Sequence, residues 1–132
     1  MISITKRFRF EAAHRLEDWP HDHQCHRLHG HSYVLEVSVV VDPTKLKEDK
    51  RKPGAILDFA EVSTIVKHHI ISKWDHQYLN DVLGMKNTTA EKLVVHIWNV
   101  LSRTQLGEYD TLHIQLSETE SGWAKYGAKT RS

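Results

Sequence analysis

Residues 31–41 read His-Ser-Tyr-Val-Leu-Glu-Val-Ser-Val-Val-Val, and this stretch decides the fold class. It is rich in β-branched and aromatic residues, which favour an extended strand over a helix. Upstream of it, residues 2–10 alternate between apolar and polar side chains, and the residues of apolar parity include Ile2, Ile4, Phe8 and Phe10. A period of two predicts a half-buried strand. The first third of the chain therefore predicts two β-strands.

Downstream of these strands, two segments carry the pattern of amphipathic helices. Asp58 followed by Glu61 resembles a capping box, which marks a helix start. The apolar residues that follow share one helical face: Val62, Ile65, Val66 and Ile70. Thr88 and Glu91 repeat the capping signal ahead of a second helix, which we expect to stop near Gly107.

Residues 110–117 and 122–128 predict two further strands, so the expected order is β-β-α-α-β-β. We expect one α+β domain spanning residues 1–132. The charged stretch 45–53 is interpreted as a solvated loop. Four strands with helices on one face leave free sheet edges, which pairing between subunits would protect.

Composition excludes several classes of protein. The 132 residues carry 18 Lys and Arg against 17 Asp and Glu, and a net charge of +1 argues against nucleic acid as a main partner. No apolar run reaches the roughly 18 residues of a membrane helix, and the N-terminal residues lack the apolar core of a signal peptide. A single cysteine cannot form an internal disulfide and fits a reducing compartment. We therefore expect a cytoplasmic protein.

Three histidines form a candidate metal site. His29 and His31 flank Gly30 at the start of a strand, where both rings would point to the same side, and His14 lies just past the end of the neighbouring strand. Three imidazoles are a ligand set of catalytic zinc, which keeps one further position for a water or substrate. Two alternatives remain at this point: the histidines are solvated loop residues, or Cys25 is a fourth ligand that closes a structural site.

A second group of residues suggests acid-base chemistry. Asp75 next to His76 can fix the imidazole tautomer and raise its basicity. Cys25 beside a metal or an imidazolium would be held as a thiolate. Glu118 ends a strand, where its carboxylate could bind a guanidine-like group in a bidentate way. Asp75 could equally cap a helix, and Glu118 could be an ordinary edge residue.

Taken together, these segments resemble the 6-pyruvoyl-tetrahydropterin synthase family, and most closely its bacterial 6-carboxy-tetrahydropterin synthase branch. The matching segments follow the family order over nearly the whole chain. They are Phe10-Glu11-Ala12-Ala13-His14-Arg15-Leu16, Cys25-x-x-x-His29-Gly30-His31-Ser32-Tyr33, Gly54-x-Ile56-x-Asp58-Phe59, Asp75-His76-x-Tyr78-Leu79-Asn80, Thr89-Ala90-Glu91 and Ser117-Glu118-Thr119.

The resemblance implies a tunnelling fold, in which β-β-α-α-β-β subunits with an antiparallel sheet form a barrel. Trimers or stacked hexamers with active sites between subunits are expected. It also implies a role for each matching residue. Those roles are zinc binding by His14, His29 and His31, catalysis by Cys25, Asp75 and His76, and pterin binding by Glu118, with Thr89 and Glu91 in the segment that lines the pocket. Thr88 and Glu91 would also fit a simple helix cap.

The implied substrate is 7,8-dihydroneopterin triphosphate. The carboxy branch converts it to 6-carboxy-5,6,7,8-tetrahydropterin, acetaldehyde and triphosphate, in the pathway to queuosine and other deazapurines. The three-residue gap between Cys25 and His29 resembles this branch. The alternatives are the pyruvoyl synthase, which only eliminates triphosphate, and a non-catalytic zinc- or pterin-binding module.

Overall fold

The described residues form one sheet, mostly antiparallel, in this computed structural model, which describes residues 1–45 and 50–130. The strand order is β3-β1-β2-β4-β5, and only β3 runs parallel to its neighbour β1. The strands are β1 Ile2–His14, β2 His29–Val41, β3 Gln77–Tyr78, β4 Thr111–Thr119 and β5 Gly122–Lys129. Part of the predicted loop, residues 46–49, lies outside the described residues.

The helices lie between β2 and β4 in the chain. Helix α1 continues through a π-helical turn into α2, and a short α3 precedes the longer α4. Their bounds are α1 Phe59–Val66, the π turn Lys67–Ile71, α2 Ser72–Trp74, α3 Leu79–Leu83 and α4 Ala90–Leu101. Short 3-10 turns occupy Gln24–His26, Pro43–Lys45 and Gln105–Glu108. The predicted α+β class is confirmed, with β3 and α3 as small additions.

The core lies between the helices and one face of the sheet. Inward-facing strand residues and the apolar faces of α1 and α4 belong to one buried cluster, which includes Phe10, Tyr33, Leu35, Val62, Val66, Leu93, Ile97, Leu112 and Ile114. The predicted parity of β1 is borne out, because Phe8 and Phe10 are buried while Arg7 and Arg9 are exposed. No helix within residues 1–45 and 50–130 combines the length and apolarity that crossing a bilayer requires.

Two predicted boundaries of the second helix are wrong. Its capping residue is Thr89, whose hydroxyl accepts from the Lys92 N–H, whereas Thr88 is fully buried and bonds elsewhere. The helix ends at Leu101 rather than near Gly107. Gly107 lies in a separate 3-10 turn, packed so closely that a Cβ there would lie 1.8 Å from the Ser102 carbonyl oxygen.

The first helix starts as predicted, with Asp58 as its cap. The Asp58 carboxylate accepts from the Ala60 N–H at 2.8 Å. Glu61 does not act as the expected partner of a capping box but binds the ammonium of Lys52. Lys52 also contacts Asp58, so the two acids and the lysine join the preceding loop to the helix start.

Candidate active site

The candidate site lies at one end of the sheet, where the rows of core-facing residues on β1, β2 and β4 terminate. On β1 the inward residues Phe8, Phe10 and Ala12 are followed by His14, which is the last residue of the strand and not, as predicted, just past its end. On β2 the inward stripe begins with His29 and His31, because β2 starts two residues earlier than predicted. Antiparallel register pairs His14 with His29 and Ala12 with His31. The alternation that builds the core therefore also turns the three imidazoles toward one another.

The three histidine rings converge edge to face. Their centroids are 4.6 Å apart for His14 and His29, 5.0 Å for His14 and His31, and 4.8 Å for His29 and His31. The candidate ligand atoms all lie within 4.8 Å of one another. Each Nε2 is buried without a hydrogen-bond partner in the part of the chain that the structure describes. Buried polar atoms are normally paired, so three convergent nitrogens of this kind fit a shared metal ion.

Hydrogen bonds on the far side of two of the rings explain why their Nε2 atoms carry lone pairs. His14 Nδ1 lies 2.8 Å from the Thr88 carbonyl oxygen, and His29 Nδ1 lies 2.7 Å from that of Arg27. A carbonyl oxygen only accepts, so each of these Nδ1 atoms carries the proton and each Nε2 carries a lone pair. Three neutral imidazoles presenting Nε2 fit zinc, and the residues present can hold a metal ion.

Burial keeps the imidazoles of His14 and His31 neutral. The pKa of His14 is lowered to about 4, chiefly by burial and further by His29 and His31, while the bond to Thr88 opposes the shift. The pKa of His31 is also lowered, again by burial first and then by His29. Metal binding requires an unprotonated imidazole, so the fold prepares the ligands for it.

Glu118 reaches the same cluster from β4. It continues the inward stripe of Leu112, Ile114 and Leu116, and its carboxylate oxygens lie 4.0 Å from His14 Nε2 and 3.8 Å from His31 Nε2. The pKa of Glu118 is raised, mostly by burial, with His29 opposing and Glu91 adding to the shift. Glu91 lies in the first turn of α4, and Thr89 caps that helix.

Asp75 and His76 are fixed to the outer edge of β1. The Glu11 N–H donates to Asp75 Oδ1 at 2.9 Å, and the Glu11 carbonyl accepts from the His76 N–H. Strand β3 then pairs with Ala12 and Ala13. This pairing places the Asp75 and His76 segment against the strand that ends in His14.

The two side chains form the predicted pair. His76 Nδ1 lies 3.0 Å from Asp75 Oδ2. The pKa of Asp75 is lowered, first by the Glu11 N–H, with burial opposing and His76 contributing. His76 has a φ of 60°, which costs energy in a residue with a Cβ and is typical of functional positions.

One open cleft joins the two groups. It has a volume of about 470 Å³, and its walls include His31, His76, Glu11 and Tyr78. A ligand in this cleft could contact the candidate metal ligand His31 and the exposed imidazole of His76 at the same time.

Cys25 lies in the 3-10 turn before β2. Its N–H donates to His23 Nδ1 at 3.0 Å, its carbonyl accepts from the Leu16 N–H at 2.9 Å, and its side chain is half-buried. Among the described residues the group able to hold a metal consists of the three histidines, without Cys25. The alternative of a closed structural site with Cys25 as fourth ligand thus has no support. Nor does a hydrogen bond join Cys25 to Asp75 or His76 within the described ranges.

Three buried residues near the site were not predicted. Thr88 holds His14, Asn80 holds Thr88, and Tyr33 carries a buried hydroxyl without a partner among the described residues. Tyr33 and Asn80 lie in segments that match the family. Nothing in the sequence spacing of these two residues distinguishes them from ordinary core residues. Only the folded contacts identify them.

Comparisons with known proteins agree with this architecture. The family model described as 6-pyruvoyl tetrahydropterin synthase matches residues 3–129. A Synechocystis protein named 6-carboxy-5,6,7,8-tetrahydropterin synthase is 36% identical over 130 residues, covering 96% of this chain and 93% of that protein. The 6-pyruvoyl tetrahydrobiopterin synthase of Dictyostelium discoideum is 32% identical, with 95% of each chain covered.

A solved structure supports the fold itself. The Caenorhabditis elegans 6-pyruvoyl tetrahydropterin synthase superposes with a TM-score of 0.72 at 21% identity, covering 97% of this chain and 96% of that chain. The expected tunnelling fold is confirmed. The extent of the family match and the curated relatives lead to one conclusion: the chain belongs to the 6-pyruvoyl tetrahydropterin synthase family.

Proposed function

We propose that this chain is a zinc-dependent lyase, a 6-carboxy-tetrahydropterin synthase that converts 7,8-dihydroneopterin triphosphate and water to 6-carboxy-5,6,7,8-tetrahydropterin, acetaldehyde and triphosphate. The observation that carries the proposal is the set of three buried, unpaired Nε2 atoms of His14, His29 and His31 beside a cleft that also contains His76. Relatives named for this activity, including the Synechocystis protein, match most of the chain.

Zinc held by the three histidines would polarise the oxygens of the substrate side chain and acidify the neighbouring C–H. The protein's own groups then move the protons. Asp75 accepts from His76 Nδ1 and so leaves Nε2 of that ring as the base, on a side chain that lines the cleft. Cys25 acts as the second proton-transfer group, and together they allow triphosphate to leave before the carbon–carbon bond breaks.

The substrate would be oriented by the acidic side of the site. The amino-pyrimidine edge of a pterin presents two neighbouring N–H donors, which match the two oxygens of Glu118. By resemblance to the family, Glu91 and Thr89 at the start of α4 would line the pterin pocket. The half-buried position of Glu118 strengthens a hydrogen-bonded pair by removing competing water.

The second candidate is the pyruvoyl synthase, which stops after triphosphate elimination. The similarity to the Dictyostelium discoideum protein favours it. The Cys25-x-x-x-His29 spacing favours the carboxy activity. Both reactions use the same site residues.

We further propose a cytoplasmic homo-oligomer, a trimer or hexamer with active sites between subunits, that serves queuosine biosynthesis. The sheet supports assembly because β5 is an edge strand and β3 covers only Ala12 and Ala13 of β1. An exposed Phe59 and Ile2 border an apolar surface cleft near the other end of β1. The single free cysteine suits a reducing compartment.

The decisive experiment incubates zinc-loaded protein with 7,8-dihydroneopterin triphosphate and identifies the products by mass. We expect a carboxypterin with acetaldehyde. A pyruvoyl pterin would establish the second candidate instead. Unchanged substrate would refute both activities, and a matched sample treated with chelator tests the zinc requirement.

A further inference from the structure

A chain of hydrogen bonds leads away from the proposed metal ligand His14 into the protein. Its first link is Thr88, whose carbonyl and hydroxyl oxygens lie 2.8 Å and 3.2 Å from His14 Nδ1. The second is Asn80, whose Oδ1 accepts from the Thr88 hydroxyl at 3.0 Å. All three residues are buried, with exposed fractions of 1% for His14, 0% for Thr88 and 6% for Asn80.

This series of hydrogen bonds ends in the loop that follows β1. Asn80 Nδ2 donates to the Arg15 carbonyl at 2.8 Å and to Glu17 Oε1 at 2.7 Å, and the Arg15 N–H donates back to Asn80 Oδ1 at 3.2 Å. Both sides of the amide are thus occupied, which fixes which atom is oxygen and which is nitrogen.

Along this series of hydrogen bonds every donor points away from His14. His14 Nδ1–H donates to Thr88, the Thr88 hydroxyl donates to Asn80, and the Asn80 amide donates to the carboxylate of Glu17. A reversal at Thr88 is excluded, because Asn80 Oδ1 is an acceptor only. The imidazole proton is therefore held on Nδ1, and the lone pair is held on Nε2.

The Thr88 carbonyl can fix the His14 ring only if Thr88 itself is held still. Thr88 directly follows Asn87, which has a positive φ of 52°, and it precedes the start of α4. Neither a strand nor a helix fixes its backbone. Side-chain hydrogen bonds do so: the Thr88 hydroxyl donates to Asn80, and the neighbouring Asn87 donates to two carboxylates of the loop after β1.

We infer that Thr88 and Asn80 are positioning residues of the metal centre, which act on the metal through His14. This inference rests on the proposed metal role of the three histidines. Groups that hold the far nitrogen of a metal-bound histidine set its orientation and basicity, and their loss lowers metal affinity about 10- to 100-fold.

The test uses two neighbouring threonines. Thr88→Val removes the hydroxyl that binds Asn80 and keeps the shape, whereas Thr88→Ser restores a hydroxyl. Thr89→Val is the matched control, because it removes the cap of α4 without touching His14. Zinc dissociation constants are measured by competition with a chelator, and the absorption bands of the cobalt-substituted protein report the ligand geometry.

We expect Thr88→Val to bind zinc about 10- to 100-fold more weakly and to shift the cobalt bands, and Thr88→Ser to recover most of the affinity. Thr89→Val should lower thermal stability but keep the wild-type zinc affinity and cobalt spectrum. Asn80→Ala removes the acceptor and keeps both threonines, so it tests the same link if Thr88→Val fails to fold.

Wild-type affinity and cobalt spectrum in both Thr88→Val and Asn80→Ala would overturn the inference while leaving the proposed zinc enzyme intact. Equal losses in Thr88→Val and Thr89→Val would also overturn it, because they would indicate a general effect of helix stability. A wild-type protein that binds no zinc would refute the metal assignment and this inference together.

Discussion

At the scale of a single residue, a substitution of Cys25 can distinguish a catalytic role of its thiol from a structural one. Replacement by alanine should abolish turnover and leave zinc bound, because among the described residues the group that could hold a metal consists of the three histidines without the thiol. Activity and zinc content of the purified variant are measured side by side, with His29→Ala as the control that should lose the metal. Zinc loss in Cys25→Ala would favour the closed structural site, and retained turnover would assign the proton transfer to another group.

Tyr33 offers a second test at this scale, on stability. Its ring stacks on Phe10 with centroids 4.9 Å apart, and its hydroxyl is buried without a partner among residues 1–45 and 50–130. A buried unpaired hydroxyl costs about 1–3 kcal/mol. Tyr33→Phe should therefore leave the unfolding free energy of the metal-free protein unchanged or raise it, as measured by urea unfolding.

The control for this test is Tyr33→Ala, which removes the ring and should cost about 3–5 kcal/mol. A clear loss of stability in Tyr33→Phe would mean that the hydroxyl has found a partner, such as ordered water.

Among the elements, the strands were predictable from the sequence because their signal is local. Alternation along residues 2–10 and β-branched residues along 31–41 are direct consequences of one buried face. The ends of elements were less predictable, since they depend on contacts made elsewhere. Thr88 has the right residue type for a cap, but its hydroxyl binds Asn80 and the cap passes to Thr89.

The same distinction applies to the site. The spacing of His29 and His31 predicts a shared face, and the register of β1 against β2 brings in His14. The partners that fix the rings come from the distant segments that contain Asn80 and Thr88, and single-sequence patterns carry no information about such contacts. Resemblance identified the residues; the geometry explains why they point where they do.

A substitution at Gly107 tests whether this residue lies in a tightly packed turn after the second helix rather than at the end of the helix. A Cβ at this position would lie 1.8 Å from the Ser102 carbonyl oxygen, which is backbone and cannot move aside cheaply. We expect Gly107→Ala to lower the unfolding free energy by about 2–3 kcal/mol, as measured by denaturant unfolding.

Gly84→Ala is the matched control for this close packing. Gly84 ends α3 with a positive φ of 57°, and the space into which a Cβ would project is open. The cost of this substitution is therefore the backbone strain alone, about 1–2 kcal/mol. Equal effects of the two substitutions would argue against the close contact of Gly107 with the α4 end.

In the whole molecule, one face of one sheet serves both stability and function. The stripe of apolar residues that packs against the helices ends in His14, His29, His31 and Glu118, so the core itself fixes the site. The burial of these histidines should also make the metal-free protein sensitive to acid. A buried histidine must stay neutral, and stability falls when solvent favours its protonation.

The direction of this pH dependence follows from the pKa of His14, which is about 4 in the folded chain against 6.5 for an ordinary histidine. Between these values the unfolded state binds the extra proton, so the unfolding free energy of chelator-treated protein should fall as the pH drops from 6.5 to about 4. The contribution of one such group is at most about 1.4 kcal/mol per pH unit. Urea unfolding across this range measures it, and His14→Gln, which cannot titrate, should show a shallower dependence. Parallel curves for the two proteins would mean that acid acts through other groups.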